Sequence, residues 1–161
     1  TYTVNNLVIK DLVATLGVSG KNIASAFTHY GVATLTDCVM TGTTTEIPGY
    51  KAYDAGFVNA TNTTINGGEY GKMYLFEQAH VTINNAKVGT IDSQAINYTY
   101  KGKLLGTLTI GAGSTVDTIN LIPGSYKPAI IIEDGATVGK IVYNGTTYTQ
   151  AEWLASGLGM N

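Results

Sequence analysis

The sequence contains no arginine, one cysteine (Cys38), three prolines and one tryptophan. Only 12% of its 161 residues are charged, against the ~25% usual in soluble domains. Each shortage excludes something. All nine basic residues are lysines, set against eleven acids for a net charge of −2. No phosphate-neutralising stripe can be built from so few cations, which excludes a basic nucleic-acid binder. A single cysteine excludes a disulfide framework within one chain and any multi-cysteine zinc site. Cys38 lies between Asp37 and Val39, with no activating base beside it, and reads as a small buried hydrophobe. No apolar run approaches the ~18 residues needed to cross a bilayer as a helix.

What the chain has instead is glycine (20), threonine (24), asparagine (12) and tyrosine (11), in a background that is 44% hydrophobic. That hydrophobic fraction is too high for a charge-rich disordered tail. The length suits one domain, spanning residues 1–161, with a real core. Beginning at Thr1 rather than methionine, and with no signal peptide in sight, it reads as a processed or excised piece of a secreted protein.

Self-comparison shows how the apolar residues are organised. Residues 108–119 lie over residues 130–141 without a gap, with apolar residues coinciding at 108/130, 110/132, 116/138 and 119/141. Residues 65–73 and 83–91 match position for position, with one residue fewer at the turn. Shorter copies begin at Ile9 and Leu35. The shared element is an apolar residue, a variable residue, then Asp11, Asp37, Gly67 or Asn85, with Gly113 and Gly135 one place later. Threonine and β-branched residues in short alternation read as half-buried strands. Asn, Asp and Gly tolerate the left-handed backbone of a sharp bend. A unit this small cannot bury its inner face alone, and stacking at the ~4.8 Å strand spacing completes the core. Ile9, Leu35, Ile65, Ile83, Ile110 and Ile132, separated by 26, 30, 18, 27 and 22 residues, are expected to form one internal column.

This motif, over roughly residues 7–143, resembles that of right-handed parallel β-helix proteins of the pectin-lyase-like type and their surface-adhesin relatives. The resemblance implies an all-β solenoid of about six to seven coils. Coils are expected over about 1–143 and a C-terminal cap over about 144–161. In the cap, residues 143–148 read as a hairpin with a type I′ Asn-Gly turn. Thr149 to Glu152 is a capping-box match that opens a short helix, with Gly157 or Gly159 closing it and Trp153 and Leu154 as its apolar face.

Chemistry is sparse. Family lyases pair a calcium-binding acidic cluster with an arginine or lysine base, and an arginine base is impossible here. The six aspartates are dispersed, although Asp11 and Asp37 share a motif position and are turn formers first. His29 and His80 belong to no metal or nucleophile motif. No cofactor or metal site is expected. Four Asn-x-Thr sequons, at Asn59, Asn62, Asn97 and Asn144, barely exceed what composition gives. An ice-binding face would need a regular Thr-x-Thr array. Only Thr34/Thr36, Thr43/Thr45 and Thr107/Thr109 qualify, at uneven spacing, and they read as exposed strand threonines.

Two stretches, 42–60 and 92–106, break the rhythm and read as inserted loops, where binding residues tend to sit. Tyr50, Tyr53, Tyr98 and Tyr100 in them are the candidate ligand-binding residues, since their rings can stack on a sugar. The expected function is a non-catalytic segment of a secreted or cell-surface bacterial protein, acting as spacer, adhesin or filament subunit. The alternative is a carbohydrate-binding module, or a fragment of a polysaccharide-active enzyme or phage tailspike. Expected partners are a polysaccharide or host glycan and further copies joined through the coil ends, without nucleic acid or a membrane span.

Overall fold

The computed structural model describes residues 1–15, 27–28, 31–45, 57–60, 62–75, 79–93, 104–121 and 127–160. Within them the chain is all-β apart from one short helix. The strands are β1 (Tyr2–Asn5), β2 (Val8–Thr15), β3 (Phe27–Thr28), β4 (Val32–Thr45), β5 (Phe57–Ala60), β6 (Asn62–Leu75) and β7 (His80–Asn84). They continue as β8 (Lys87–Ser93), β9 (Leu104–Ile110), β10 (Thr115–Leu121), β11 (Lys127–Ile132), β12 (Thr137–Tyr143) and β13 (Thr146–Tyr148), followed by α1 (Gln150–Ser156). All thirteen belong to one curled, mixed sheet. Among the described strands every pairing is parallel except β12 with β13.

The register follows the sequence overlay. Leu35 pairs with Ile65, Ile65 with Ile83, Ile83 with Ile110 and Ile110 with Ile132. A second column runs Met40, Tyr70, Val88, Val116, Val138, and a third runs Met73, Ile91, Ile119, Ile141. Apart from the half-buried Ile132, these residues are buried. Each fully buried large aliphatic side chain contributes roughly 1.5–3 kcal/mol, so stacked columns are what hold the sheet in its curl.

Strand rows meet at a corner made by left-handed residues, Asn6, Asp37, Gly67, Asn85, Gly113 and Gly135, with φ between 49° and 86°, and at Gly67 the positive φ continues into Gly68 at 102°. Gly67 shows why residue type matters there. A Cβ on it would collide with the Asp37 carboxylate lying over it, beyond the strain of a φ of 75°. The turn at 111–114 is one residue longer than that at 84–86. Ser114 absorbs the difference, its hydroxyl donating to the Ile83 carbonyl (3.1 Å) and accepting from the Ala86 amide (3.3 Å).

The first expected position is corrected. Ile9 pairs with Met40, and it is Val4 that sits beside Leu35. The true first corner is Asn6, whose amide donates to the Thr36 carbonyl at 2.9 Å. Asp11 also has a positive φ, 56°, but it lies where the register slips between Ile9 and Leu12, a bulge in β2. The ends of both rhythm-breaking stretches are strands of the sheet. Residues 42–45 pair with β2, 57–60 with β6, 92 and 93 with β6, and 104 with β11.

At the C-terminal end, Asn144 (φ 49°) and Gly145 (φ 76°) form the I′-type turn between β12 and β13. Thr149 and Glu152 make the reciprocal capping box, and Gly157 closes α1 at φ 72°. Trp153 is buried, with Tyr143 and Tyr148 edge-on to it at 6.0 and 5.4 Å between ring centres. Leu154 is not part of that face. It is 54% exposed, and Leu158 packs against the core instead. Gln150, which the sequence does not single out, closes the edge of β12. Its side-chain oxygen accepts from the Val138 amide (2.7 Å) and its nitrogen donates to the Ala136 carbonyl (3.3 Å). The Gly159 carbonyl does the same for Ile130 on β11 at 2.9 Å.

Candidate functional site

Alternation along a strand decides what lines the corner. Leu35, Ile65 and Ile83 point inward, so the next residues, Thr36, Asn66 and Asn84, point outward, and the left-handed Asp37, Gly67 and Asn85 follow. These six residues line an open groove of about 360 Å³ running across β4, β6 and the end of β7. The Asn84 amide nitrogen donates to the Asn66 side-chain oxygen at 3.1 Å, which fixes both carboxamides along the strand-stacking direction. Gly67 keeps the floor open where the Asp37 carboxylate crosses it.

A carboxamide offers two donors and two acceptor lone pairs, and a hydroxyl one donor and two lone pairs. The groove therefore presents alternating donors and acceptors on a rigid backbone, which suits a neutral polyhydroxylated ligand. Its volume falls at the lower end of the ~300–1,000 Å³ of small-molecule sites. One carboxylate, Asp37, and no histidine line it. Cleaving a glycosidic bond through acid–base chemistry takes two carboxylates in most families, and the corner residue level with Asp37 on the neighbouring strand is Asn6, not Asp11.

Of the candidate functional residues singled out from the sequence, the described ones other than Thr36 and Asp37 lie outside the groove lining. Tyr50, Tyr53, Tyr98 and Tyr100, His29 and the Asn97 sequon lie outside the described residues. His80 is exposed, its Nδ1 3.0 Å from the Thr107 hydroxyl. Asn62 and Asn144 are exposed. Cys38 is fully buried, its thiol 3.5 Å from the carbonyls of Val4 and Thr36. Tyr70 and Tyr74 are core residues. The Tyr70 hydroxyl donates to the Gly67 carbonyl at 3.2 Å beneath the groove floor, and burial, then the electrostatic effect of the neighbouring Cys38, push its pKa well above the ordinary tyrosine range.

A second polar feature lies on the other row of strands, where Lys72 meets Asp92 at 3.0 Å with both side chains mostly covered. The exposed Lys87–Glu69 pair at 4.0 Å is worth little. Among the described residues no group of three or more His, Cys, Asp and Glu is arranged to hold a metal ion, and no helix is long and apolar enough to cross a membrane. The groove residues missed from the sequence, Asn66 and Asn84, carried a signal: each directly follows an apolar residue of the shared motif. The chain matches no protein-family model, no curated protein and no solved structure.

Proposed function

We propose that the chain winds as a right-handed parallel β-helix of six levels and serves as a non-catalytic, adhesin-type segment of a secreted or cell-surface protein. In this reading the corner groove retains a neutral glycan. The single observation that carries it is the groove lining: amides, a hydroxyl and one carboxylate across three strands. Such a lining supports binding by hydrogen bonds and lacks a paired acid and base for turnover. Support for the winding is the parallel register at steps of 18 to 31 residues, since same-sheet parallel crossovers are right-handed almost without exception.

The spacer and filament readings differ at the ends. A head-to-tail filament needs two complementary ends, and Gln150, Gly159 and Trp153 cover the C-terminal one. That favours display of a lateral face over end-to-end polymerisation. The test is titration calorimetry and affinity electrophoresis with neutral oligosaccharides, alongside an assay for released reducing ends. Retention without turnover, lost in an Asn66→Ala/Asn84→Ala variant, is the expected result. Sustained cleavage abolished by Asp37→Asn overturns the non-catalytic reading. Retention that survives the double substitution but not replacement of Tyr50, Tyr53, Tyr98 and Tyr100 moves the site to those tyrosines.

A further inference from the structure

Thr3, Thr34, Thr64, Thr82 and Thr109 stand 31, 30, 18 and 27 residues apart in the sequence. In the sheet they are consecutive register partners: Thr3 with Thr34, Thr34 with Thr64, Thr64 with Thr82, and Thr82 with Thr109. On β4, β6, β7 and β9 the neighbours on both sides, such as Ala33 and Leu35 or Val81 and Ile83, are buried, so those threonines face outward, and Thr3 at the end of the column is itself exposed. Unequal loops hide in the sequence a column that is regular in space, one hydroxyl and one methyl every ~4.8 Å. Two residues to either side on β4, β6 and β7 stand Val32, Thr36, Asn62, Asn66, His80 and Asn84, without an acidic residue or a lysine among them.

We propose that this face, which extends beyond the glycan groove, binds an ordered water lattice: the surface of an ice crystal. The chemistry is specific in three respects. Threonine is β-branched and stiff about χ1, so a hydrogen-bonded strand holds each hydroxyl and methyl in a repeated orientation with little entropy left to lose on binding. The methyls order the water beside them while the hydroxyls anchor it, and the strand repeat lies near that of the oxygen rows on a prism face of ice. The column itself carries no charged side chain to compete with the lattice for its water, the Asp37 carboxylate lying beyond it in the groove. Recognition by ring stacking, the usual mode for a crystalline polysaccharide, needs a row of rings, and the threonine column and these flanking positions hold no Tyr, Trp or Phe and a single imidazole, His80.

The experiment measures thermal hysteresis and ice recrystallisation with the purified chain, and with Thr64→Lys and Thr82→Lys. Asp117→Lys, exposed on β10 in the other row of strands, is the control, and melting temperature is followed for all. The wild-type and control proteins are expected to shape ice and halt recrystallisation. Each threonine variant, at an unchanged melting temperature, is expected to need about tenfold more protein for the same effect. Should a lysine variant melt early, Thr64→Val and Thr64→Ser repeat the measurement. Ice growth indifferent to the wild-type protein, or equal activity in every folded variant, overturns the proposal. So does adsorption to crystalline cellulose or chitin without any effect on ice.

Discussion

Replacing Ile110 with alanine removes three carbon atoms from a fully buried side chain held between Ile83 and Ile132. The lost transfer free energy alone, at ~0.8 kcal/mol per methylene-sized group, is about 2.4 kcal/mol. A cavity term adds to this, and large-to-small core changes of this kind cost ~2–5 kcal/mol in all. The upper half of that range applies, because hydrogen-bonded strands on both sides keep Ile83 and Ile132 from closing over the gap. For a chain of this length each kcal/mol lowers Tm by ~2–4 °C, so for ~3.5–5 kcal/mol a fall of roughly 7–20 °C is expected. The control is Ile131, which lies one residue before Ile132 on β11, pairs with Thr109 and is 38% exposed. Ile131→Ala is expected to stay within about 0.5 kcal/mol of the parent. Urea titrations of the two variants give the difference directly, as a lower midpoint at an unchanged slope for Ile110→Ala alone. Equal midpoints for the two would refute the inward column, since alternation along the strand is what separates them.

Gly67→Ala is expected to cost ~1–2 kcal/mol from the left-handed backbone alone, and more from collision with Asp37; Asp37→Gly in the same chain restores the second part, measured as coupling in a double-mutant cycle. Trp153→Ala is expected to cost ~3–5 kcal/mol, and truncation before Thr149 to lower Tm and give a polydisperse product by light scattering, because the edges of β11 and β12 lose their cover. The Tyr70 phenol has its pKa raised by burial above the ordinary 10.0, so the folded chain holds that proton more tightly than the unfolded one. Its contribution is therefore complete below pH ~10 and is lost progressively as pH rises beyond that value. Urea midpoints should fall steeply there, and the Tyr70→Phe variant should show a shallower fall.

The part of the fold legible in the sequence is the part with short, fixed spacing. Residues 108–119 over 130–141 and 65–73 over 83–91 carry few insertions, and their pairings follow the overlay residue by residue. Ile9 misled because two segments fit the same pattern: Val4 to Val8 and Ile9 to Val13 both read apolar, polar, Asn or Asp, apolar, valine. Even the backbone test is passed by both, since Asn6 and Asp11 each have φ 56°. Only the pairing with β4 tells a corner from a bulge. The helix cap was legible because its hydrogen bonds are local, whereas Gln150 acts across 12 and 14 residues on Val138 and Ala136. The polar groove and the threonine column are products of register. Their members come from separate strands, and loops of unequal length conceal the alignment.

Parallel pairing of one strand with the next underlies the core, the groove and the threonine face together, and methyl NOE spectroscopy on isoleucine-, leucine- and methionine-labelled protein tests it most directly. Cross-peaks are expected in series, Leu35 to Ile65, Ile65 to Ile83, Ile83 to Ile110 and Ile110 to Ile132, with Ile9 contacting Met40 rather than Leu35. Strong contacts that skip a level, such as Ile65 to Ile110 without Ile83, or a direct Ile9 to Leu35 pairing, would contradict it.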